Sequence, residues 1–318
     1  MSYRQTVEAS HRTTFANNIQ MVAQEMHGKI RSAVTIVSGL SGDAHNVRDL
    51  LDQKEYEEVE DYNMQNPQNR SNLDAVWMNR PKLIRSGEAI FKEDKFDLAM
   101  DPTSQFNASH VRACEKGVFD RFMGIRKKSG GTGYEIHGGG ILGKRITGKA
   151  RTPTSLPSGQ VQAVDAGSSG TPAGLNLKKM NMAREQLELD DFGIDEDLSS
   201  ELFCAITPKQ KTNLLDIAIQ TQTSLNAFQI QQIEAGKPTT LFGMTWIFTN
   251  RLPVNASGHR LCPIWTKSNI AGGFWQDIEG DIFNNGAAMN RPQVLVTCYP
   301  EATRIENEGV VVFTCLES

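Results

Sequence analysis

Residues 33–96 set the tightest limit on what this chain can become, because they cannot make a core by themselves. A short β-prone run, Ala33-Val34-Thr35-Ile36-Val37, precedes the acidic residues Glu55, Glu57, Glu58, Glu60 and Asp61. The polar, turn-rich stretch 63–72, NMQNPQNRSN, follows, bounded by Asn63 and Asn72. A second β-prone run, 75–91, carries Arg80, Lys82 and Arg85 and ends in Ile90 and Phe91. Two extended runs around a polar tip read as a long hairpin. Its residues are too polar to bury both faces, and an isolated hairpin is marginal in water. It therefore needs a surface to lie on, and another copy of the chain would serve. The acidic and basic blocks can pair within the hairpin or between copies; the sequence leaves both open. On an exposed hairpin Glu57, Glu58, Glu60 and Asp61 read as a solvated face, not as an acid/base pair.

The stretch 101–126, DPTSQFNASHVRACEKGVFDRFMGIR, predicts a long helix. Asp101 can cap it and Pro102 suits its first position. Phe106, Val111, Cys114, Val118, Phe122 and Ile125 recur at mostly helical spacing and define one buried face. The Gly-rich run from Gly130 is expected to end it. Residues 176–189 predict a second helix with Leu177, Met180, Ala183 and Leu187 on one face. Leu202-Phe203-Cys204-Ala205-Ile206 reads as a strand buried on both faces. Thr207-Pro208-Lys209-Gln210 then has a capping Thr, a first-position Pro and a Gln three residues on, so a helix starts there. Another helix is expected over 225–234, strands over 242–250 and 261–266, and two apolar strands over 293–299 and 309–315 joined by a polar turn. A short strand fits 160–164. Near the N-terminus Phe15, Ile19, Val22, Met26 and Ile30 form an amphipathic helix, packed either on its own domain or on a neighbour. With no repeat and no strict βαβ alternation, the class is α+β.

Chemistry is sparse. The net charge of −4 and pI near 5.9 disfavour a sequence-specific DNA reader, though not a container for DNA. No apolar run approaches membrane-spanning length, and the N-terminus lacks a signal core. Cys114, Cys204, Cys262, Cys298 and Cys315 are scattered in apolar contexts and read as buried free thiols of a reducing compartment. The histidines have no metal-ligand spacing. Gly138–Arg145 (GGGILGKR) and Gly143–Ala150 (GKRITGKA) imitate a phosphate-binding loop. Arg145 and Ala150 stand where a Ser or Thr should meet magnesium, so a flexible basic surface loop is the expectation. It carries Lys127, Lys128, Lys144, Arg145, Lys149 and Arg151 and could touch nucleic acid electrostatically. No catalytic residue, cofactor or metal is expected.

In this order the parts resemble a major capsid protein of the tailed bacteriophages. The strings that carry the resemblance are KEDKFDLAMDPTSQF (92–106), LPSGQV (156–161), ITPKQKTNLL (206–215), FGMTWIFTNRLP (242–253) and EATRIENEGVVVFTC (301–315). The resemblance covers roughly residues 28–318. The resemblance implies the Hong Kong 97 phage-type capsid fold. Residues 1–32 would be an N-terminal arm and 33–95 an extended loop lying on a neighbour. Residues 96–199 would form a peripheral domain around the spine helix 101–126, 200–289 an axial domain, and 290–318 the closing strands of the peripheral domain. It implies no enzyme but an icosahedral shell of hexamers and pentamers, assembled in the bacterial host cytoplasm and found in the virion. The partners implied are the chain itself, a portal, a scaffold or decoration protein, and enclosed double-stranded DNA without sequence-specific binding; no membrane is involved. Phe15, Ile19, Glu57, Glu58, Asn63, Asn72, Arg80, Lys82 and Arg85 are the expected inter-subunit contacts. The short N-terminal region suggests a separate scaffold or none, and no Lys–Asn cross-link is expected. The 127–151 segment is longer and more basic than the family leads one to expect. Two alternatives stand beside this: an encapsulin-like protein compartment, and a nucleotide-dependent enzyme using the Gly-rich loop 138–150.

Overall fold

The computed structural model describes residues 29–51, 73–89, 103–192, 201–220, 243–286 and 291–317. The expectations at Phe15, Ile19, Glu57, Glu58, Asn63 and Asn72, and the helix over 225–234, lie outside the described residues. After one helical turn, Lys29–Ser32, come strands β1 (Thr35–Val37), β2 (Ala44–Leu51), β3 (Leu73–Asn79) and β4 (Ile84–Ala89). The long helix α1 (Thr103–Met123) leads to short strands β5 (Ile125–Lys127), β6 (Tyr134–Ile136), β7 (Arg145–Thr147), β8 (Thr152–Thr154) and β9 (Val161–Gln162). Helix α2 (Leu177–Leu189), strand β10 (Leu202–Ile206) and helix α3 (Pro208–Gln220) follow. The chain closes with β11 (Met244–Phe248), β12 (Arg260–Thr266), β13 (Ile270–Asn285), β14 (Arg291–Arg304) and β15 (Val310–Cys315).

Two main sheets share one apolar core. The first has the order β1-β13-β14-β4 and carries α1 on one face. Cys114, Val118, Phe122 and Ile125 are buried as their spacing predicts, and Phe119 and Met123 join them. The helix stops at Met123, earlier than the Gly130 run suggested. Gly124 adopts φ +73°, a left-handed conformation that ends helices at little cost for glycine. Ile125 stays buried, but as the start of β5.

The second sheet has the order β11-β10-β12-β15-β9. β10 lies inside it, parallel to β11 and antiparallel to β12, with every residue buried. The cap on α3 forms as expected: Thr207 N–H donates to Gln210 Oε1 at 2.9 Å. The C-terminal Glu317 reinforces this corner. Its carboxylate accepts from Thr207 Oγ1 (2.7 Å), Gln210 Nε2 (3.0 Å) and Arg260 Nη2 (2.5 Å). Asn176 caps α2 through Oδ1, which accepts from Lys179 N–H at 2.7 Å.

The hairpin differs from its expected outline. The run at 33–37 is not its first arm: β1 instead pairs parallel with β13. The arms are β2 and β3, paired from Ala44↔Asn79 to Leu51↔Leu73 with one register shift between Asn46 and Arg48. β2, AHNVRDLL, has little strand propensity and is held by its pairing. The run 75–91 is cut at Pro81, which has no N–H to donate. β3 before the cut belongs to a sheet β2-β3-β7-β8, whereas β4 after it pairs with β14. The strands expected at 293–299 and 309–315 also part company. β14 runs on to Arg304 in the first sheet, and β15 enters the second.

Gly124 holds the exit from α1. A Cβ there would lie 2.2 Å from the Gly139 carbonyl oxygen. Gly124→Ala should therefore destabilise the unassembled chain by about 2–4 kcal/mol, from left-handed strain plus overpacking. Thermal unfolding measures this, and a loss below about 0.5 kcal/mol would contradict it.

Candidate functional site: the glycine loop and the hairpin base

The Gly-rich segment 138–143 is packed against the end of α1. Ile141 N–H donates to Phe122 O at 2.9 Å and Leu142 N–H to Met123 O at 3.0 Å. These are terminal helix carbonyls that α1 cannot satisfy itself. Gly140 N–H donates to Ala302 O at 2.6 Å and Lys144 N–H to Gly138 O at 2.7 Å. A phosphate cradle needs such N–H groups free and a helix after the loop. Here they are engaged and strand β7 follows. The resemblance to a nucleotide loop is therefore one of spacing only. The expectation of a flexible surface loop is corrected too: Gly140, Ile141, Leu142 and Gly143 are buried. A Cβ on Gly140 would lie 2.5 Å from Phe122 O, so the close approach requires glycine. Of the loop's cations, Lys144 and Lys149 face solvent, while Arg151 stacks over the Trp77 ring at 4.6 Å.

Two buried charges complete this region. Arg304, at the end of β14, is fully buried. Its Nη1 donates to Ile141 O (2.7 Å), Gly143 O (2.6 Å) and Gly140 O (3.4 Å). Burial pushes its pKa down to about 10, which leaves it a cation at neutral pH. Glu301 is only 7% exposed. Burial pushes its carboxyl up to about 7, against the opposing pull of Arg121 and of the Ala302 and Gly139 N–H groups. Arg121 Nη1 stands 4.0 Å from Glu301 Oε2. His137 is held below its ordinary range by burial and by Arg126 and Arg121. Glu301 and His137 line a cavity of about 430 Å³ together with Trp77, Arg80, Lys144 and Ile146.

The hairpin base adjoins this cavity. Arg80 donates its N–H to Asp43 O at 2.8 Å and its guanidinium to Asp43 Oδ1 at 3.2 Å. Arg80 therefore ties the hairpin base within its own chain. Lys82 and Arg85 are exposed just beyond it, Arg85 on β4 opposite Thr297. Trp77 Nε1 donates to Gly148 O at 3.0 Å and fixes β3 to the turn between β7 and β8. All five cysteines are buried free thiols. Among the described residues, no group of His, Cys, Asp or Glu is placed to hold a metal, and no helix is long and apolar enough to cross a membrane.

Sequence reasoning missed Arg304, Glu301 and Lys179. Lys179 is fully buried on α2, with Nζ donating to Val164 O (2.6 Å), Ala173 O (2.8 Å) and Thr314 O (2.9 Å). Arg304 meets carbonyls about 160 residues away, Glu301 faces Arg121, and Lys179 joins the 164–174 loop to Thr314, so no local pattern marks the three sites.

A family model described as phage capsid protein matches residues 7–317. No curated protein matches the sequence. Solved structures that resemble the chain include the capsid of cyanophage P-SCSP1u, with 14% identity, 96% of this chain and 93% of the other covered, and a TM-score of 0.64. The capsid of Ralstonia phage GP4 gives 10% identity, 96% of each chain and a TM-score of 0.64. The capsid of a native GTA particle gives 11% identity, 96% and 95% coverage and a TM-score of 0.64. The chain thus has the Hong Kong 97 phage-type capsid fold that its sequence suggested.

The Glu301 carboxyl gives the site a pH signature. Between an ordinary carboxylate value near 4.3 and about 7, the native state keeps a proton that the unfolded chain releases. Stability therefore falls as pH rises through that window, and the cost persists above it. Glu301→Gln should be more stable than the parent at pH 8, by roughly 1–3 kcal/mol, with the difference shrinking below about pH 5. Thermal unfolding at the two pH values checks this. A variant less stable at pH 8, or a pH-independent difference, would contradict it.

Proposed function

The chain belongs to the phage capsid family, and from that membership we infer that it is the major capsid protein of a tailed double-stranded DNA bacteriophage. The observation that carries this reading is a family match over residues 7–317, joined to a capsid fold shared over 96% of the chain. Many copies assemble into hexamers and pentamers of an icosahedral shell. The shell encloses the genome without reading its sequence, in keeping with a net charge of −4. Its role is mechanical rather than catalytic. Membership in a phage capsid family favours a genome-enclosing shell over a compartment for protein cargo. A portal, and a scaffold or decoration protein, complete the particle, which is built in the host cytoplasm.

In this reading residues 1–32 are the arm and 33–95 the extended loop. Residues 96–199 form the peripheral domain, 200–289 the axial domain and 290–318 the closing strands. Phe15, Ile19, Glu57, Glu58, Asn63, Asn72, Arg80, Lys82 and Arg85 contribute to subunit contacts. The supporting physics is the polar hairpin, which gains more from lying on a neighbour than from its own packing. Weak contacts of this kind become strong when repeated around a shell.

Purified protein should sediment as capsomers, shells or polymers and show them in negative stain. A fully ordered monomer at every concentration would contradict the reading. A sharper test replaces residues 63–72 with a short Asn-Gly turn. The compact part should keep its circular dichroism and unfolding, while particle yield or stability falls, because about 1 kcal/mol lost per copy is multiplied over the shell. Normal yield would remove the hairpin from assembly.

A further inference from the structure

Among the described residues the first sheet is covered at one end and unpaired at the other. β1 covers the outer side of β13 only at Ala271, Gly272 and Gly273. Trp275 Nε1 donates to Gly42 O at 3.0 Å, and Asp277 pairs with Arg31 at 2.9 Å, so the cover extends a little further. From Glu279 to Asn284 every residue of β13 is exposed, including Ile282 at 50% and Phe283 at 37%. The opposite edge at the same level is β4, which pairs with β14 from Ala89↔Gln293 to Ile84↔Cys298. No described strand pairs with its outer side. Lys82, Leu83, Arg85 and Gly87 are exposed there.

Among the described residues the far end is therefore a three-stranded tongue, β13-β14-β4, with neither outer edge paired. An open strand edge offers unpaired N–H and C=O groups and is a template for another strand. The two edges differ in charge. One carries Glu279 and Asp281; the other carries Lys82 and Arg85, with Glu88 on the face that Ser86 turns toward His110 of α1. Glu279 Oε2 accepts from Gln276 Nε2 at 2.6 Å, which orients the carboxylate without neutralising it. Two β13 edges brought together would oppose acid to acid, which is destabilising. A β13 edge against a β4 edge opposes acid to base. The register supports this. Glu279 and Arg85 both pair with Thr297, Asp281 and Gly87 both with Leu295, and Phe283 and Ala89 both with Gln293. An in-register repeat sets Glu279 beside Arg85, and sets the larger Asp281 and Phe283 beside the small Gly87 and Ala89.

We propose that the exposed β13 edge of one copy pairs with the β4 edge of the next, continuing the sheet from subunit to subunit. The contact is head-to-tail, the kind that closes into rings. It rests on the capsid reading only in taking a second copy of this chain as the partner.

Within one chain residues 85 and 279 are two strand spacings apart, about 9.5 Å. That exceeds the Cα separation of roughly 7 Å beyond which a disulfide cannot form. A Glu279→Cys/Arg85→Cys variant, assembled under reductant and then oxidised with copper–phenanthroline, can therefore link those positions only between copies. A ladder of multimers on a non-reducing gel, absent from each single variant, is expected. Alongside it, Glu279→Arg and Arg85→Glu should each cut particle yield about tenfold or more, with unchanged circular dichroism of the unassembled chain. Combining them should restore most of the yield. Shells that form without cross-linking, or full yield from either reversal, would overturn the edge pairing and leave the capsid reading standing. So would reversals that unfold the unassembled chain, since the edges would then serve its own fold. A parent protein that never assembles would instead overturn the capsid reading.

Discussion

Arg304 Nη1 is shared by the carbonyls of Gly140, Ile141 and Gly143, and much of the molecule is arranged around that junction. The loop it holds supplies the N–H groups that end α1. The strand it sits on, β14, pairs with both β13 and β4. Immediately after it the chain crosses to the second sheet. Asn269 fixes that crossing: Ile305 N–H donates to Asn269 O at 2.8 Å, Glu306 N–H to Asn269 Oδ1 at 2.8 Å, and Asn269 Nδ2 to Glu306 O at 2.9 Å. The chain passes from β12 to β13 and from β14 to β15 at this same point, so both crossings between the sheets are held by one side chain. A buried cation is costly by itself. It is tolerated here because it satisfies carbonyls that a tight glycine loop would otherwise leave bare.

Two further ties bind α1 and the start of β1 to the middle of the molecule. Asp120 on α1 receives Arg251 at 2.5 Å, tying the long helix to the loop after β11. Trp265 Nε1 donates to Ala33 O at 2.9 Å and anchors the chain just before β1. Away from these ties lie the hairpin β2–β3 and the tongue β13-β14-β4. Val76 and Met78 pack the base of that hairpin into the chain's own core, whereas residues 279–284 of the tongue are exposed. In the shell we propose, neighbours cover such exposed edges many times over.

Much of this was legible in the residues. The spacing of Cys114, Val118 and Phe122 gave the buried face of α1. The unbroken run Leu202–Ile206 gave β10, and the Thr207–Gln210 pattern gave the cap of α3. Each is a local signal, settled within a few residues. β13 was not legible, since its Gly272, Gly273, Gly280 and polar residues resemble a loop; pairing with β14 along nearly its whole length makes it a strand. Pro81 was visible, but its effect, sending β3 and β4 into different sheets, was not. Arg304 and Lys179 carried no signal in the sequence: Arg304's acceptors lie about 160 residues away, and those of Lys179 are brought together from the 164–174 loop and β15. At the glycine loop, Arg145 and Ala150 already argued against a phosphate cradle, but the burial of residues 140–143 was not legible, because their partners Phe122, Met123, Ala302 and Arg304 are set by the fold.

The claim that the glycine loop is a structural cap locked by Arg304 is tested most directly by thermal unfolding of unassembled Arg304→Met. Methionine fills similar space but cannot donate, so three buried carbonyls lose their partner. The account predicts a loss of about 3 kcal/mol or more, or a chain that does not fold. An unfolding transition within about 0.5 kcal/mol of the parent would contradict it, because the junction would then not be what holds the sheets and α1 together.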